Sequence, residues 1–160
     1  MTILVDTREH EGKNNHILNY FDSKNIPWVR QKLDYGDYSF MIPANEELGI
    51  PRDLYYDGEI MVERKANLDE FIGNIIKDRD RIKKEFSLAP QNKILLLENA
   101  NYSDMINGNY LSKYSAQSFY GTLHSFWHEF DIPFVFMPDP KYSGIYIYGY
   151  FQYYFRNIIK

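Results

Sequence analysis

The chain has 160 residues, the size of one ordinary domain, and 44% of them are hydrophobic, so it can bury a substantial core. It contains no cysteine, which excludes disulfide bonds and thiolate chemistry. The formal net charge of −4 excludes a uniformly basic surface of the kind that binds nucleic acid through total charge alone. Net charge is a sum over the whole chain, so the local distribution of charge decides whether a smaller basic surface exists.

No stretch of the sequence predicts a targeting or membrane segment. Residues 1–6 have no basic leader before the first acidic residue, as a signal peptide would require. No run approaches the ~20 consecutive apolar residues that span a bilayer. We therefore expect a cytoplasmic protein that does not bind membranes.

The first half of the chain predicts strands separated by turns, with one helix. Apolar and alternating runs predict the strands, which cover residues 3–5, 28–32, 38–42 and 59–65. Residues 14–24 have a spacing of apolar side chains typical of a helix. The polar segment 43–58 contains two prolines and predicts a surface excursion of a hairpin.

The second half begins with the clearest helix, starting at residue 67 and ending before Pro90. Asn67 and Glu70 predict a capping box at its start. Its apolar face is predicted to contain Leu68, Phe71, Ile72, Ile75, Ile76, Ile82 and Phe86.

Further along the chain, strands and helices continue to alternate. The predicted elements are a buried strand at 93–97, a helix at 110–130, a strand at 133–137 and an aromatic helix at 145–159. Strands that alternate with helices indicate an α/β domain with a mixed sheet. No repeat or linker interrupts the chain, so residues 1–160 are predicted to form a single domain.

Three consecutive residues, Glu63-Arg64-Lys65, end one predicted strand. Side chains alternate along a strand, so Glu63 and Lys65 point to one face and Arg64 to the other. A carboxylate beside an ammonium group suits metal-assisted phosphodiester hydrolysis, because the carboxylate holds Mg²⁺ and lysine steadies the attacking water. A second carboxylate is required, and Asp37 can supply it because Gly36 gives the backbone freedom to aim it. The alternative is a surface ion pair with no catalytic role.

Several motifs together resemble the XPF/Hef nuclease family of the restriction-endonuclease-like superfamily, whose sites follow the PD-(D/E)xK pattern. They are Val5-Asp6-Thr7-Arg8-Glu9, then Gly36-Asp37-Tyr38, then Glu63-Arg64-Lys65 followed by Asp69. Later segments resemble the compact bacterial and phage members across essentially the whole chain. These segments are Arg79-Asp80-Arg81 through Glu85, residues 95–98, residues 115–126 and residues 132–134.

The resemblance implies an α/β fold in which helices flank a restriction-endonuclease-like mixed central sheet. It implies a Mg²⁺-dependent DNA endonuclease, with Mn²⁺ expected to substitute, that cuts branched, flap, fork or nicked duplexes in recombination, repair or replication. Many members also carry tandem helix-hairpin-helix or helicase domains, to which much of the branch specificity is attributed. We expect neither domain in these 160 residues.

The resemblance also implies a role for each matching residue. Asp37, Glu63 and Asp6 would be metal ligands, and Lys65 would orient the water. Glu9 would line the same acidic cluster, and Arg64 and Arg8 would neighbour the scissile phosphate or brace the carboxylates. The family pattern also implies that Asp69 supports the site from the first turn of the following helix. For both arginines, a structural salt bridge is the equal alternative.

A basic cluster follows the motif and is interrupted by Asp78 and Asp80. Its members are Lys77, Arg79, Arg81, Lys83 and Lys84. We favour contact with the DNA backbone for this cluster, and for Arg8. The alternative is an ordinary solvated helix face with i,i+4 pairs such as Asp80 with Lys84.

Aromatic residues crowd the C-terminal segment. They are Tyr146, Tyr148, Tyr150, Phe151, Tyr153, Tyr154 and Phe155. They can stack on unpaired bases, form a subunit interface or lie in the core. A helix that is aromatic on several faces is hard to bury in one small domain, so we favour a homodimer interface.

Two other functions compete with a structure-specific nuclease. One is a catalytically inactive relative that serves as a DNA-binding or scaffolding partner. It is disfavoured because an inactive copy has no reason to keep Asp37, Glu63 and Lys65 together. The other is a sequence-specific restriction-type endonuclease with the same superfamily site, which mapping of cut positions would reveal.

Overall fold

The computed structural model describes residues 1–9 and 11–160, in which seven strands and five α-helices form. The strands are β1 (Thr2–Val5), β2 (Trp28–Arg30), β3 (Tyr38–Ile42), β4 (Leu54–Tyr55), β5 (Ile60–Lys65), β6 (Asn92–Glu98) and β7 (Phe134–Met137). The helices are α1 (Asn15–Ser23), α2 (Leu68–Leu88), α3 (Tyr102–Ile106), α4 (Ala116–Phe130) and α5 (Ser143–Ile158). None of the helices in these ranges is long and apolar enough to cross a membrane.

The strands form one mixed sheet in the order β2-β1-β3-β5-β6-β7, and β4 pairs with β3 outside this path. Strand β3 runs antiparallel to both β1 and β5, whereas β5, β6 and β7 are parallel to one another. The predicted mixed sheet flanked by helices is therefore confirmed. Because Tyr38 on β3 pairs with Val62 on β5, residues 37 and 63 are brought to the same edge of the two strands.

Alternation along the strands produces a separate apolar core on each face of the sheet. Ile60 and Val62 of β5 face the core that also contains α1 and α5. Met61 of the same strand faces the core formed with α2, α3 and α4. The motif that follows on β5 continues this alternation, so Arg64 belongs to the α1/α5 side and its two neighbours to the α2 side.

One face of the aromatic helix α5 lies in the core and most of its other aromatic side chains are partly buried, so the homodimer interface stays a prediction. Phe151 is fully buried and packs against Phe40. Of the seven aromatic residues, only Tyr153 is classed as exposed. The helix lies close to α1, since a Cβ on Gly144 would come within 2.9 Å of the Tyr20 Cβ. The core and α1 thus cover part of a surface that the helix pattern alone assigns to a partner.

The prediction of a helix over 110–130 is wrong at its start. Helix α4 begins only at Ala116, and the Ser115 side chain accepts a hydrogen bond from the Ser118 N–H as its cap. The prediction also missed α3, although an Asn101–Asp104 capping box begins it. That box is readable in the sequence, but a helix of five residues leaves little hydrophobic periodicity to detect.

Helix α2 matches its predicted range but differs in detail. Asn67 caps the helix through the Glu70 N–H, whereas the Glu70 carboxylate accepts from Ala66 N and not from Asn67. The helix is interrupted at Asp78, whose φ of −156° and ψ of 62° are not helical. Ile76 was placed on the apolar face, yet it is 62% exposed.

Candidate active site

One cleft of about 310 Å³ lies between the end of β5, the turn before β3 and one side of α2. It is lined by Asp6, Arg8, Asp34, Tyr35, Gly36, Asp37, Met61, Glu63, Lys65, Asn74, Lys77, Asp78, Arg81, Ile82, Glu85, Phe86 and Ala89. The three residues of the predicted centre, Asp37, Glu63 and Lys65, all line it. The cleft therefore brings together side chains from two adjacent strands, as the motif requires.

Backbone hydrogen bonds fix the position of Asp37 between two strands. Its N–H donates to Val62 O at 2.8 Å, and its carbonyl accepts from Asp6 N at 2.9 Å. Its carboxylate Oδ2 accepts from the backbone N–H of Arg64 at 2.7 Å. Gly36 permits this turn because its φ is +79°, and a Cβ there would lie 2.9 Å from the Met61 Cβ.

Glu63 and Lys65 form the second part of the centre. The Lys65 Nζ lies 3.3 Å from Glu63 Oε1, and the two side chains are only 15% and 21% exposed. The ammonium group also lies 6.0 Å from the centre of the Phe71 ring on α2. The pair is therefore half-buried at the inner end of the cleft, which excludes the fully solvated ion pair considered from the sequence.

Burial and like charge disturb the titration of this group. Burial, then the nearby Glu63 and Glu9 carboxylates, raise the pKa of Asp37 well above its ordinary range. Burial raises the pKa of Glu63 as well, although Lys65 partly opposes it. For Lys65, burial alone would lower the pKa, but Glu63 and Asp37 reverse this and raise it. Lys65 is therefore a cation at neutral pH. Its positive charge does not fully offset the effect of burial, so the pKa values of the Asp37 and Glu63 carboxylates stay raised.

Arg64 and Glu9 lie outside the cleft, contrary to the roles expected from the family pattern. The Arg64 guanidinium donates to both Glu9 oxygens, at 3.2 and 2.8 Å, and to Glu98 Oε1 at 2.6 Å. Glu98 Oε2 contacts His16 at 2.7 Å and accepts from Ser143. Arg64, Glu9 and Glu98 are buried on the α1/α5 side of the sheet, so Arg64 braces carboxylates that are not those of the cleft.

Asp6 and Arg8 line the cleft and pair with each other. Asp6 is 1% exposed, its Oδ1 accepts from Leu33 N at 2.8 Å, and its Oδ2 accepts from Arg8 Nε at 2.7 Å. Arg8 also donates to Leu33 O at 2.6 Å while its side chain stays 59% exposed. Asp6 therefore holds Arg8 in place at the mouth of the cleft.

Asp69 does not line the cleft that contains the Asp37 and Glu63 carboxylates. Its two carboxylate oxygens accept hydrogen bonds from the backbone N–H groups of Leu111 and Ser112, at 3.0 and 2.8 Å. The expected support of the site is thus corrected to support of the loop before α4. The periodicity of α2 could not reveal this, because the contact joins residues about 42 positions apart.

The predicted basic cluster divides between two sides of α2. Arg81 lines the cleft together with Lys77. Arg79 instead faces α4, where it donates to Thr122 Oγ1 at 3.3 Å, and Lys83 lies 3.4 Å from Glu129. Lys84 is exposed and does not line the cleft. Arg79 and Lys83 therefore face α4 and not the cleft, and DNA contact by this cluster stays a prediction.

Several residues of the cleft were not in the predicted centre. On α2 they are Asn74, Asp78 and Glu85, and in the turn before β3 they are Asp34 and Tyr35. Together with Lys77 and Arg81, the α2 residues follow the three- and four-residue spacing of one helix face. That spacing is visible in the sequence, but knowing which face meets the site requires the fold.

The side chains present fit a divalent cation held by few protein ligands. Among residues 1–9 and 11–160, no three His, Cys, Asp or Glu side chains form a ready-made metal cage. Mg²⁺ commonly binds one or two carboxylates and completes its shell with water and phosphate oxygens. Asp37 and Glu63 form such a pair, and their pKa values are raised first by burial and then by neighbouring carboxylates.

Comparisons with known proteins agree with this fold. XPF from Aeropyrum pernix superposes with a TM-score of 0.65 and 16% identity, over 95% of this chain and 60% of that one. XPF from Aeropyrum pernix in complex with DNA gives a TM-score of 0.68 and 16% identity, over 98% of this chain and 66% of that one. This chain thus spans less than two thirds of the length of either structure, and no curated protein matches its sequence. The model of the ERCC4 domain matches residues 5–150, and the chain therefore belongs to the ERCC4-domain family.

Proposed function

We propose that this protein is a divalent-metal-dependent DNA endonuclease that cuts branched or nicked duplexes. The observation that carries the proposal is the convergence of Asp37, Glu63 and Lys65 on one cleft, with Lys65 Nζ 3.3 Å from Glu63. Two carboxylates and an ammonium group in one half-buried site are what phosphodiester hydrolysis with a metal ion uses. The intact centre argues against an inactive scaffolding relative.

Asp37 and Glu63 would hold the cation, for which Mg²⁺ is the natural choice and Mn²⁺ the substitute. When bound, the ion neutralises phosphate charge and lowers the pKa of a coordinated water molecule. We leave Asp6 out of the ligand set, because both of its oxygens already accept hydrogen bonds from Leu33 and Arg8. Its proposed role is to hold Arg8 towards the substrate.

The chain itself positions the reactants. Lys65 is protonated, because its pKa is raised, so it donates a hydrogen bond and does not act as a base. Its proposed partner is the water that attacks the phosphorus. In the reaction, the water oxygen forms a bond to phosphorus, one P–O ester bond breaks, and a water proton passes to the departing sugar oxygen. The products are a phosphomonoester and a free hydroxyl group.

Positive side chains at the cleft support DNA as the substrate. Arg8, Lys77 and Arg81 line its walls, where they can contact phosphates on either side of the cut. The similar structure of XPF from Aeropyrum pernix was solved in complex with DNA, which supports the same substrate class. Preference for flaps, forks or nicked duplexes, and a role in recombination, repair or replication, rest on the family resemblance.

A labelled substrate panel tests the proposal. Intact duplex, nicked duplex, flap, fork and four-way junction are each incubated with the purified protein and Mg²⁺ or Mn²⁺, beside Lys65→Ala protein. Metal-dependent cleavage of the branched or nicked substrates, lost in Lys65→Ala, is the expected result. Binding without any cleavage would favour the scaffolding function. Cuts at one fixed sequence in unrelated duplexes would favour a restriction-type enzyme.

A further inference from the structure

A second cavity, of about 330 Å³, opens at the surface between α2 and α4. Arg79 of α2 lines one side of it, and the other side includes Tyr114, Ser118, Gly121, Thr122 and Ser125. No acidic residue is among the described residues that line it. The cavity therefore offers a cation and neutral hydroxyl groups, which is the chemistry of an anion site.

Arg79 enters this cavity without a carboxylate partner in its lining. The guanidinium contacts two neutral hydroxyl groups, Tyr114 Oη at 3.5 Å and Thr122 Oγ1 at 3.3 Å. On the cleft side of the same helix, Arg81 instead pairs with the Glu85 carboxylate at 3.1 Å. The positive charge of Arg79 is thus left for an anion that enters from outside the protein.

The cavity is open, and its groups are already in place. The guanidinium of Arg79 lies 5.7 Å from the centre of the ring of Phe126, which is buried. Ser118 Oγ accepts from Ser115 Oγ at 2.7 Å, so its own hydrogen is free to donate. A Cβ on Gly121 would meet no atom within 4 Å. A ligand can therefore approach α4 closely, and little ordering of the protein opposes its binding.

This cavity and the catalytic cleft lie on two sides of the same stretch of α2. Asp78 lines the cleft, and Arg79, the next residue, lines the cavity. Residues 76–81 are all exposed, so a DNA strand can cross the helix there without displacing protein. Residues 77–84 contain five cations against two carboxylates, although the chain as a whole is negative. A helix about 10 Å wide separates the two openings, which corresponds to roughly three base pairs of duplex.

We propose that the cavity between α2 and α4 binds a backbone phosphate of the DNA about three base pairs from the cut, with Arg79 as the charged contact and Ser118 as a hydroxyl donor. The inference rests on the proposed endonuclease function for the identity of its ligand, and it adds a contact outside the catalytic cleft. A planar guanidinium suits the oxygens of a phosphate. A backbone contact of this kind carries no sequence information, so it suits an enzyme that selects DNA by its structure.

The test compares two variants of the cavity with two matched controls. Arg79→Met removes the cation, and its control is Arg156→Met, which changes an exposed arginine that also lies over an aromatic ring but is on α5. Gly121→Leu fills the cavity, and its control is Gly73→Leu, at an exposed glycine of α2 that also has open space and lines neither cavity. For each protein we measure DNA affinity with Ca²⁺ across a range of salt, kcat and KM for cleavage, and the unfolding temperature.

We expect Arg79→Met to lower DNA affinity about three- to tenfold and to reduce the slope of log affinity against log salt by about 1. Gly121→Leu should lower affinity to a similar degree without changing the charge. Its unfolding temperature should equal or exceed that of the wild type, because leucine favours a helix more than glycine does. The double variant should bind no more weakly than either single variant, since both remove one contact. KM should rise with kcat unchanged, because the contact is the same before and during the reaction.

The length of the DNA provides an independent measurement. Wild-type affinity should fall when the duplex is shortened to less than about three base pairs on one side of the cut. Arg79→Met should not show this step, because it has already lost the contact. An identical dependence on length in the two proteins would overturn the inference.

Other results would also overturn it. Wild-type affinity in Arg79→Met, or losses as large in Arg156→Met and Gly73→Leu, would remove the cavity from the DNA surface. Inorganic phosphate that stabilises the wild type but not Arg79→Met, with equal DNA affinities, would make the cavity a site for small anions. If Arg79→Met does not fold, Gly121→Leu decides alone. A wild-type protein that cuts no substrate, while Arg79→Met still weakens DNA binding, would refute the proposed endonuclease and support this site.

Discussion

The charged side chains on the two faces of strand β5 differ in how completely they are paired. On the α1/α5 side, Arg64 makes hydrogen bonds of 2.6 to 3.2 Å with Glu9 and Glu98, so each buried charge there has a partner. On the cleft side, the carboxylates of Asp37 and Glu63 lie near the ammonium of Lys65, yet the pKa of each carboxylate stays raised. Arg64 thus belongs to a network in which each charge has a partner. Its sequence neighbours Glu63 and Lys65 belong to the cleft, where negative charge is in excess.

The paired network holds strand β5 in place, whereas the cleft side carries the residues that we propose take part in the reaction. A paired network keeps its geometry without any ligand, whereas excess negative charge is relieved by protonation or by a bound cation. Arg64 joins the two, because its side chain is in the paired network and its backbone N–H donates to Asp37 Oδ2. The four predictions below test whether the two faces are independent in this sense.

The largest expected effect comes from removing the Lys65 ammonium, which lies 3.3 Å from Glu63 in the cleft. Lys65→Met should reduce kcat on the order of 10³-fold, because the attacking water loses its charged hydrogen-bond donor. DNA affinity measured with Ca²⁺ should change little. Lys84→Met, on the exposed side of α2, is the matched control and should cleave at the wild-type rate. Equal activity in both variants would place the reaction outside this cleft.

Arg64→Met should instead act on stability. It leaves Glu9 and Glu98 buried without their partner, so the free energy of unfolding should fall by about 3–5 kcal/mol. Arg81→Met breaks the Arg81–Glu85 pair, whose side chains are 70% and 51% exposed, and should cost less than about 1 kcal/mol. Urea denaturation of both variants measures the contrast. Similar small losses in both would mean that the buried network does not hold the strand.

The sequence predicts the cleft side of β5 better than the other side. Alternation along a strand placed Glu63 and Lys65 on one face and Arg64 on the opposite face, and Gly36 before Asp37 marked the turn that aims the second carboxylate. These are local rules, and they depend on residues within one strand or one turn. Three motifs in the expected order were enough to predict the fold class.

Contacts between distant segments could not be predicted in the same way. The partners of Arg64 are Glu9 and Glu98, which lie 55 and 34 residues away, and only the sheet order brings them together. The side of α2 that meets the cleft is set by the packing of Phe71 and Ile75, so the sequence could not show that Arg81 lines the cleft while Arg79 contacts α4. The position of α5 likewise depends on contacts between distant segments, such as those of Phe151 with Phe40 and of Gly144 with Tyr20.

Asp37→Asn should raise the stability of the metal-free protein. The pKa of Asp37 is higher in the folded protein than in the unfolded chain, so its ionisation favours unfolding. Wild-type stability should therefore fall as pH rises from the ordinary carboxylate pKa to the raised one, and stay lower above it. The variant avoids this loss, with a gain on the order of 1 kcal/mol at neutral pH.

Thermal unfolding between acidic and neutral pH, with and without Mn²⁺, measures this gain. Mn²⁺ should stabilise the wild-type protein and cancel the advantage of Asp37→Asn, because only the wild type has both carboxylate ligands. Asp34→Asn removes the same charge from an exposed residue of the cleft and should leave the pH profile unchanged. A variant that is less stable than wild type at every pH would show that Asp37 is a satisfied structural residue.

The smallest effect distinguishes the two sides of α2 as DNA contacts. Arg81→Ala removes a cation from the cleft wall, so DNA affinity should fall about three- to tenfold, and the slope of log affinity against log salt should decrease by about 1. Lys83→Ala removes the same charge from a side chain that pairs with Glu129 near α4, and should leave the slope unchanged. Because the two residues are neighbours on one helix, total charge cannot explain a difference between them. Equal slopes in the two variants would mean that DNA responds to the overall charge of α2 and not to the face that lines the cleft.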